Sequence, residues 1–585
     1  MGKTREETYG RRIDAAFLAL LAAAVWLSLW LAPYGWAGSD EAFYLAEPYR
    51  FAQGDCYFVD DWNCGQLFSF VLVPPVWLYL RLAPSVDGIF LHFRYFYVLV
   101  SALAAVLVYL RGRRLSSAGA LFAALFLMLY APLSVRDFSY NAMGLHALTA
   151  ACMLVCTAGR HPFRDHVLAG LCLAVLVLCC PFAVSLYLLY ALAVGIFALR
   201  KRRGAAPPWY TLTPRALLAV SLGAGALFLL FCAFVFSRAG LDALLASFPY
   251  VFRDPEHRVE PLIWLAKNLL YCALTSAPGS RYVLALCALL GVVVLADRGR
   301  LRRRGFYLCA AVALAAVYCA PFAFENIANE LMLPLNIVGV FAYLLSERRP
   351  KKLFALIFVP GLVYTVCMHH SSSLRYLALC HGSAVCLTAS VFFICGVLRE
   401  LAEAKPTAAG TAGRLFARAA CALTGLALAA QLGLETNSRL QNFFHDESFA
   451  ALDTRITEGV QKGLITSRAH AAECAALLHD TQGLREAEGD YILYVSDTVW
   501  LPLSDTKRSA NNSLWTNYDK PGPSAALLRE YLDLYPDKRP VAIYVTGTLR
   551  YTYQPDIDGM VIVDILNREN RPVIRTETGY IIDLA

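Results

Sequence analysis

Two adjacent acids, Asp40 and Glu41, stand immediately after the first apolar run of the chain, residues 15–33. They open a loop that begins GSDEAFYLAEPYRFAQGDCYFVDDWNCGQ and carries three more acids, Asp55, Asp60 and Asp61. A carboxylate held at the end of an apolar run is placed to act as a general base at a membrane surface, taking a proton from an acceptor hydroxyl. The plainer alternative is a solvated loop whose acids only face water. Acids are repelled by anionic lipid head groups, so a cluster at this position calls for a reason. A further acid, Asp137, follows a later apolar run in LSVRDFSYNAMG, where a simple loop pairing with Arg136 is the alternative. Glu325 and Glu330, in FENIANELML, flank another pair of runs, and solvating a short hairpin accounts for them. Walker, dinucleotide-binding and serine-elbow motifs are missing from the sequence, which removes support for a nucleotide-driven pump or a serine hydrolase.

The elements that must position these acids are apolar. Of the 585 residues 58% are hydrophobic and only 16% charged, with a mean hydropathy of +0.51. A soluble domain carries about 25% charged residues. Runs long enough to cross a bilayer core of about 30 Å recur up to about residue 433. They fall at about 15–33, 95–110, 118–134, 142–158, 167–181, 183–199, 216–236, 282–296, 306–321, 331–345, 353–368, 378–398 and 415–433, which is thirteen. The expected fold is an α-helical polytopic membrane protein with about 13 transmembrane helices. That excludes a soluble enzyme, a disordered chain and a nucleic-acid-binding module.

Loop charge sets the expected orientation. With a cytoplasmic N-terminus, the inside segments hold 27 Lys and Arg, and the longer outside loops before residue 434 hold 10. Counting residues 67–82 (LFSFVLVPPVWLYLRL) as a span would invert every later loop. Pro74 and Pro75 interrupt that run, so it is expected to lie along the outer interface, within a first outer loop of residues 34–94. Thirteen spans then place residues 434–585 outside the plasma membrane.

Residues 434–585 have an ordinary soluble composition and a net charge of −7, against +15 for residues 1–433. Strand-like runs at 491–495, 541–545, 560–565 and 580–584, with helical patterning over about 446–483 and 523–535, predict a small extracytoplasmic α/β domain. The chain thus divides into a transmembrane domain, 1–433, and this second domain, 434–585. Most of the 18 cysteines sit inside apolar runs as small hydrophobes. Only Cys56 and Cys64 lie close together in a polar loop, and the sequence leaves open whether they are bonded.

An acidic pair after the first span, a long first outer loop with interfacial helices, a basic turn after the second span and an acid after the third resemble the GT-C superfamily of membrane glycosyltransferases. Protein O-mannosyltransferases and lipid A aminoarabinose transferases belong to that class. The resemblance implies an inverting glycosyltransferase that moves a sugar from a polyprenyl-phosphate carrier to an acceptor hydroxyl on a lipid, a cell-envelope glycan or a protein. It implies Asp40 as catalytic base with Glu41 beside it, and Asp137 as the second-loop acid that shapes the acceptor or metal site. The superfamily differs on metal use, so a divalent metal (Mg or Mn) held by Asp40 and Asp137 is carried as an expectation. Where the family often has Gly-Lys in the first loop, this chain has Gly65-Gln66. The donor phosphate is therefore expected at Arg375, His369 and His370 of MHHSSSLRY, with Arg94 and His92, or Arg253, His257 and Arg258, as weaker candidates. The alternative from another class is a transporter or flippase of lipid-linked envelope precursors. It calls for charges in mid-span and related halves, neither of which the sequence displays.

Overall fold

The computed structural model describes the chain apart from residues 1, 37, 39, 203–208, 254–261, 276–278, 320–331, 372–376, 404–405, 444–445, 486–488, 497, 505–506, 515–522, 547–571 and 585. Each of the thirteen apolar runs forms a helix. They are Gly2–Leu31, Ile89–Gly112, Ser117–Leu129, Tyr140–Cys156, Pro162–Cys179, Val184–Arg202, Pro214–Phe236, Ser280–Ala296, Arg300–Cys319, Met332–Leu345, Val359–Ser371 with the turns leading into it from Lys351, Ala378–Glu403 and Pro406–Gln441. Among the described residues nine helical stretches are long and apolar enough to cross a membrane, and shorter apolar helices such as Tyr140–Cys156, Ser280–Ala296 and Met332–Leu345 pack between them. The chain is a multi-pass membrane protein.

Local chemistry sets the helix starts. Ser116, Ser139 and Thr213 each accept a hydrogen bond from a backbone N–H in the first turn that follows, which is the role of an N-cap. Between helices, small residues permit close approach. Gly170 and Gly223 meet the carbonyls of Val220 and Val167 so closely that a Cβ at either would overlap them.

The loop after the first helix is largely structured. Asp40–Ala52 is a helix, Gln66–Val71 a 3₁₀ turn and Val73–Leu82 a second helix, and the loop ends where the next long helix starts at Ile89. Ten residues extend about 15 Å, half of a bilayer core, so residues 73–82 cannot span one. Val73 and Val76 face inward while Trp77, Leu78 and Leu82 are exposed, as an interfacial helix requires. A helix that escapes the sequence patterns, Leu241–Val251, lies in a later loop. Its Tyr250 ring stacks on Trp62 at 4.3 Å.

The C-terminal region is the expected α/β unit. Its five-stranded sheet has the order Arg508–Ser509, Tyr491–Val495, Ala542–Thr546, Gly579–Asp583, Val573–Arg575. The first three strands are parallel and the last two pair antiparallel. Helices Arg468–Arg485 and Pro523–Leu534 accompany it. The strand expected at 560–565 lies outside the described residues. Helical patterning over 446–467 is not borne out: this stretch forms a hairpin, Thr454–Arg455 against Ile465–Thr466. Gly459 and Gly463 adopt φ of 74° and 91° there, a backbone state that turns the chain and that no helix tolerates. Cys56 and Cys64 are not joined by a disulfide, and Asn511, which heads an Asn-Asn-Ser sequon, is buried with its amide bonded to the Tyr494 backbone.

Candidate active site

Asp40 and Glu41 form the first turn of the Asp40–Ala52 helix, where the exposed N–H groups and the helix dipole favour negative charge. They diverge from there. Glu41 is buried and locked to Arg94, whose Nε donates to Oε1 at 2.5 Å and whose Nη2 donates to Oε2 at 2.6 Å. Arg94 also donates to the carbonyls of Ala32 (2.7 Å), Tyr34 (3.2 Å) and Gly35 (2.7 Å). All five of its N–H groups are thereby engaged. Arg94, a candidate for the donor phosphate, instead binds the loop that leads into Asp40.

Asp40 shares a helical face with Tyr44, one turn on. The Tyr44 phenol is pushed far up by burial, and the neighbouring Tyr140 and Asp40 push it further. The rings of Tyr44 and Tyr140 meet edge-on at 5.5 Å with Phe68 packed against both. Tyr140 lies within electrostatic reach of Asp40 and also of Cys180. The Cys180 thiol in turn contacts the Ser371 hydroxyl at 3.4 Å. Cys180 thus stands between Tyr140 and the end of the Val359–Ser371 helix, which carries His369 and His370. His369 is buried with neither ring nitrogen bonded to a described residue, and the His370 ring meets Phe182 edge-on at 4.5 Å. Arg375 lies outside the described residues, as do His257, Arg258, Glu325 and Glu330. His92 packs beside the Tyr79 ring, and Arg253 pairs with Glu530.

Asp137 joins the Glu41–Arg94 pair rather than a pairing with Arg136. Its Oδ1 accepts the Phe138 N–H at 2.7 Å. Burial pushes its carboxyl up to about 8, with the Glu41 charge adding to the rise and Arg94 opposing it. Arg136 turns the other way, donating to the carbonyls of Arg439 and Asn442 at the end of the last long helix and stacking on Phe443. Leu133 and Ser134, with φ of 56° and 60°, turn the chain just before these two residues. A divalent metal shared by Asp40 and Asp137 fits this arrangement poorly. Asp137 lies within electrostatic reach of the Arg94 guanidinium, and among the described residues no three His, Cys, Asp or Glu side chains gather as ligands.

The remaining loop acids have structural partners. Arg50 is buried and donates to Asp55 and Asp61 at 2.8 Å each, to the Asp60 carbonyl and to the Asn511 carbonyl. Lys538 pairs with Asp60. Glu47, fully buried beside Asp61, is driven well above the usual carboxyl range by burial and then by the Asp61 charge. The solvated-loop reading does not fit Asp55 and Asp61, which are buried: through Arg50 and Lys538 these acids tie the loop to the C-terminal domain. Sequence reasoning missed Tyr44 and Tyr140, although each carries a positional signal, Tyr44 at i+4 from Asp40 and Tyr140 at i+3 from Asp137.

An apolar cavity of about 510 Å³, open on one side, lies between helices of the bundle. Leu148, Ala151 and Val155 line it from the Tyr140–Cys156 helix, and Leu356, Val359 and Val363 from the stretch that ends at His369–Ser371. Two of the lining elements therefore carry Tyr140 and His369 at their ends, and residues of Pro162–Cys179, Val184–Arg202 and Pro214–Phe236 complete the lining.

Fold and site together define a multi-pass helical membrane protein with an acid-rich loop region and a packed sheet domain at one end. No protein-family model matches the sequence, and no curated protein matches it. Among solved structures the chain is similar to an Archaeoglobus fulgidus oligosaccharyltransferase tethered to an acceptor peptide containing an NVT sequon. Identity is 13%, the match covers 90% of this chain and 68% of that one, and the TM-score is 0.40. It is also similar to AglB from the same organism in complex with an inhibitory peptide and a dolichol-phosphate, at 12% identity, 91% and 69% coverage and a TM-score of 0.41. Overlap at that level carries no argument about function, which rests on the residues above.

Proposed function

We propose that the protein is an integral-membrane inverting glycosyltransferase that moves a sugar from a polyprenyl-phosphate carrier to an acceptor hydroxyl at the outer membrane face. The observation that supports this reading is that the helix beginning at Tyr140, a residue within electrostatic reach of Asp40, and the helix carrying His369 near its end both line an apolar cavity. Val363 lies about 9 Å along its helix from His369, and Leu148 about 12 Å from Tyr140. A lipid carrier with its phosphate among the polar ends and part of its tail in the cavity matches that layout, and the volume is within the roughly 300–1,000 Å³ of small-molecule sites.

In this reading Asp40 accepts the proton of the acceptor hydroxyl. The acceptor oxygen bonds to the anomeric carbon as the bond from that carbon to the phosphate oxygen breaks, and polyprenyl phosphate leaves from the opposite side. The anomeric configuration inverts. His369, His370 and Arg375 are assigned to the phosphate, and Arg94 and Glu41 to holding the Asp40 helix. The acceptor is a lipid, a cell-envelope glycan or a protein, and the C-terminal domain lies outside with the N-terminus in the cytoplasm.

The test is transfer from a labelled panel of polyprenyl-phosphate sugars by the purified protein and by Asp40→Asn. Transfer by the wild type alone supports both the reaction and the base. Transfer by both keeps the reaction and moves the base elsewhere. Transfer by neither, with both proteins folded, removes the reading.

A further inference from the structure

We infer that the Asp446–His470 pair of the C-terminal domain is a positioning device for the Asp40 loop, an inference that rests on the glycosyltransferase reading only for its link to catalysis. The chain leaves the first helix at Leu31 and enters the next at Asp40. Between them it runs alongside the C-terminal hairpin. Gly35 N–H donates to the Ile465 carbonyl at 2.8 Å, and Ile465 N–H donates to the Pro33 carbonyl at 2.7 Å, a parallel bridge centred on Tyr34. Phe443 packs so closely on Gly35 that a Cβ there would press into its ring.

Asp446 completes the contact. Its Oδ2 accepts the Trp36 N–H at 2.5 Å and the Thr466 hydroxyl at 2.7 Å, while its Oδ1 accepts the His470 Nδ1 at 2.9 Å and the Glu447 N–H at 2.8 Å. The Asp446 side chain is fully buried, and these bonds hold its carboxyl below the ordinary range against the opposing effect of burial. Charge-assisted bonds of this kind are about twice as strong as neutral ones. The Trp36 indole fills the core against Phe90 at 4.6 Å.

Asp40 is thus bracketed. On its N-terminal side Asp446 holds Trp36, and on its C-terminal side Arg94 holds Glu41 while also gripping the carbonyls of Ala32, Tyr34 and Gly35. Asp446 and Arg94 are within electrostatic reach of each other, so the two anchors reinforce one another. The charged and titratable groups around the pair are Arg94, Glu447, Glu473 and Cys474. A domain that only covered the cavity would have no need of a buried carboxylate aimed at the backbone four residues before the base.

The experiment compares wild type, Asp446→Ala, Asp446→Asn and His470→Ala in lipid nanodiscs, with Asp453→Asn on the exposed side of the same hairpin as control. Hydrogen exchange at the Gly35 and Trp36 amides reports the clamp, and sugar transfer reports its consequence. We expect exchange at least tenfold faster in Asp446→Ala, with kcat reduced tenfold or more and KM for the donor unchanged. Asp446→Asn, which keeps an acceptor oxygen for Trp36, is expected to recover part of both. Unchanged exchange in a folded Asp446→Ala overturns the proposal, and so does faster exchange with full kcat. A parallel loss of exchange protection throughout the C-terminal domain also overturns it, because the role is then general stability. If the wild type transfers no sugar, the glycosyltransferase reading fails separately, and the exchange at Trp36 still decides whether the clamp exists.

Discussion

Glu41 and Arg94, 53 residues apart, face each other through two parallel hydrogen bonds of 2.5 and 2.6 Å, and Arg94 uses its other three N–H groups on the chain that feeds Asp40. One guanidinium therefore joins the second member of the acidic pair to the backbone that precedes the first. Asp40 and Glu41 are adjacent in sequence but have different surroundings: Glu41 is locked to Arg94, and Asp40 lies within electrostatic reach of Tyr44 and Tyr140.

Removing one partner of this buried pair leaves the other charge uncompensated. Arg94→Met is expected to destabilise the protein by about 3–5 kcal/mol, and the double variant Arg94→Met with Glu41→Gln by clearly less. Thermal unfolding of the four proteins in one detergent checks this. Equal loss in the single and double variants contradicts the pairing as the cause.

Asp137 makes stability depend on pH. Its native carboxyl is raised to about 8 from an ordinary value near 3.8, so the native state prefers the protonated form. The stability this group contributes is full below pH 3.8 and is lost as pH rises through about 8. Asp137→Asn should flatten that fall between pH 5 and 8, a difference read from paired denaturation curves.

Glu47 is buried and held neutral, so an amide of the same shape suits its place. Glu47→Gln should change stability by no more than about 1 kcal/mol at neutral pH. Arg50→Met, which strips the partner from buried Asp55 and Asp61, should cost about 3–5 kcal/mol. Reversal of that order in thermal unfolding would contradict the neutral assignment.

Cavity occupation can be tested by filling it. Ala151→Phe and Ala193→Phe add bulk to the lining of the 510 Å³ space. Under the proposed reaction they raise KM about tenfold for long-tailed donors, about 1.4 kcal/mol, and leave short-tailed donors unaffected. Equal effects on both donors would place the tail elsewhere.

Much of this protein is written in local pattern. Thirteen helices, the interrupted run at 67–82 and three of the described C-terminal strands follow from hydrophobic periodicity, proline placement and β-branched content, which act over a few residues. The Asp40–Glu41 pair stood out in the same way, because an acid beside an apolar run is conspicuous without any fold. The hairpin at 454–466 did not, since its turn depends on two glycines with positive φ inside an otherwise helical pattern. Partnership is what the tertiary structure alone decided. Arg94 looked like a phosphate ligand until the fold supplied five acceptors around it. Asp446, which no local pattern singles out, is brought by the fold to Trp36, 410 residues away. A charge is identified by its residue type, but what it does depends on which groups meet it when water is removed, and that follows only from the packed chain.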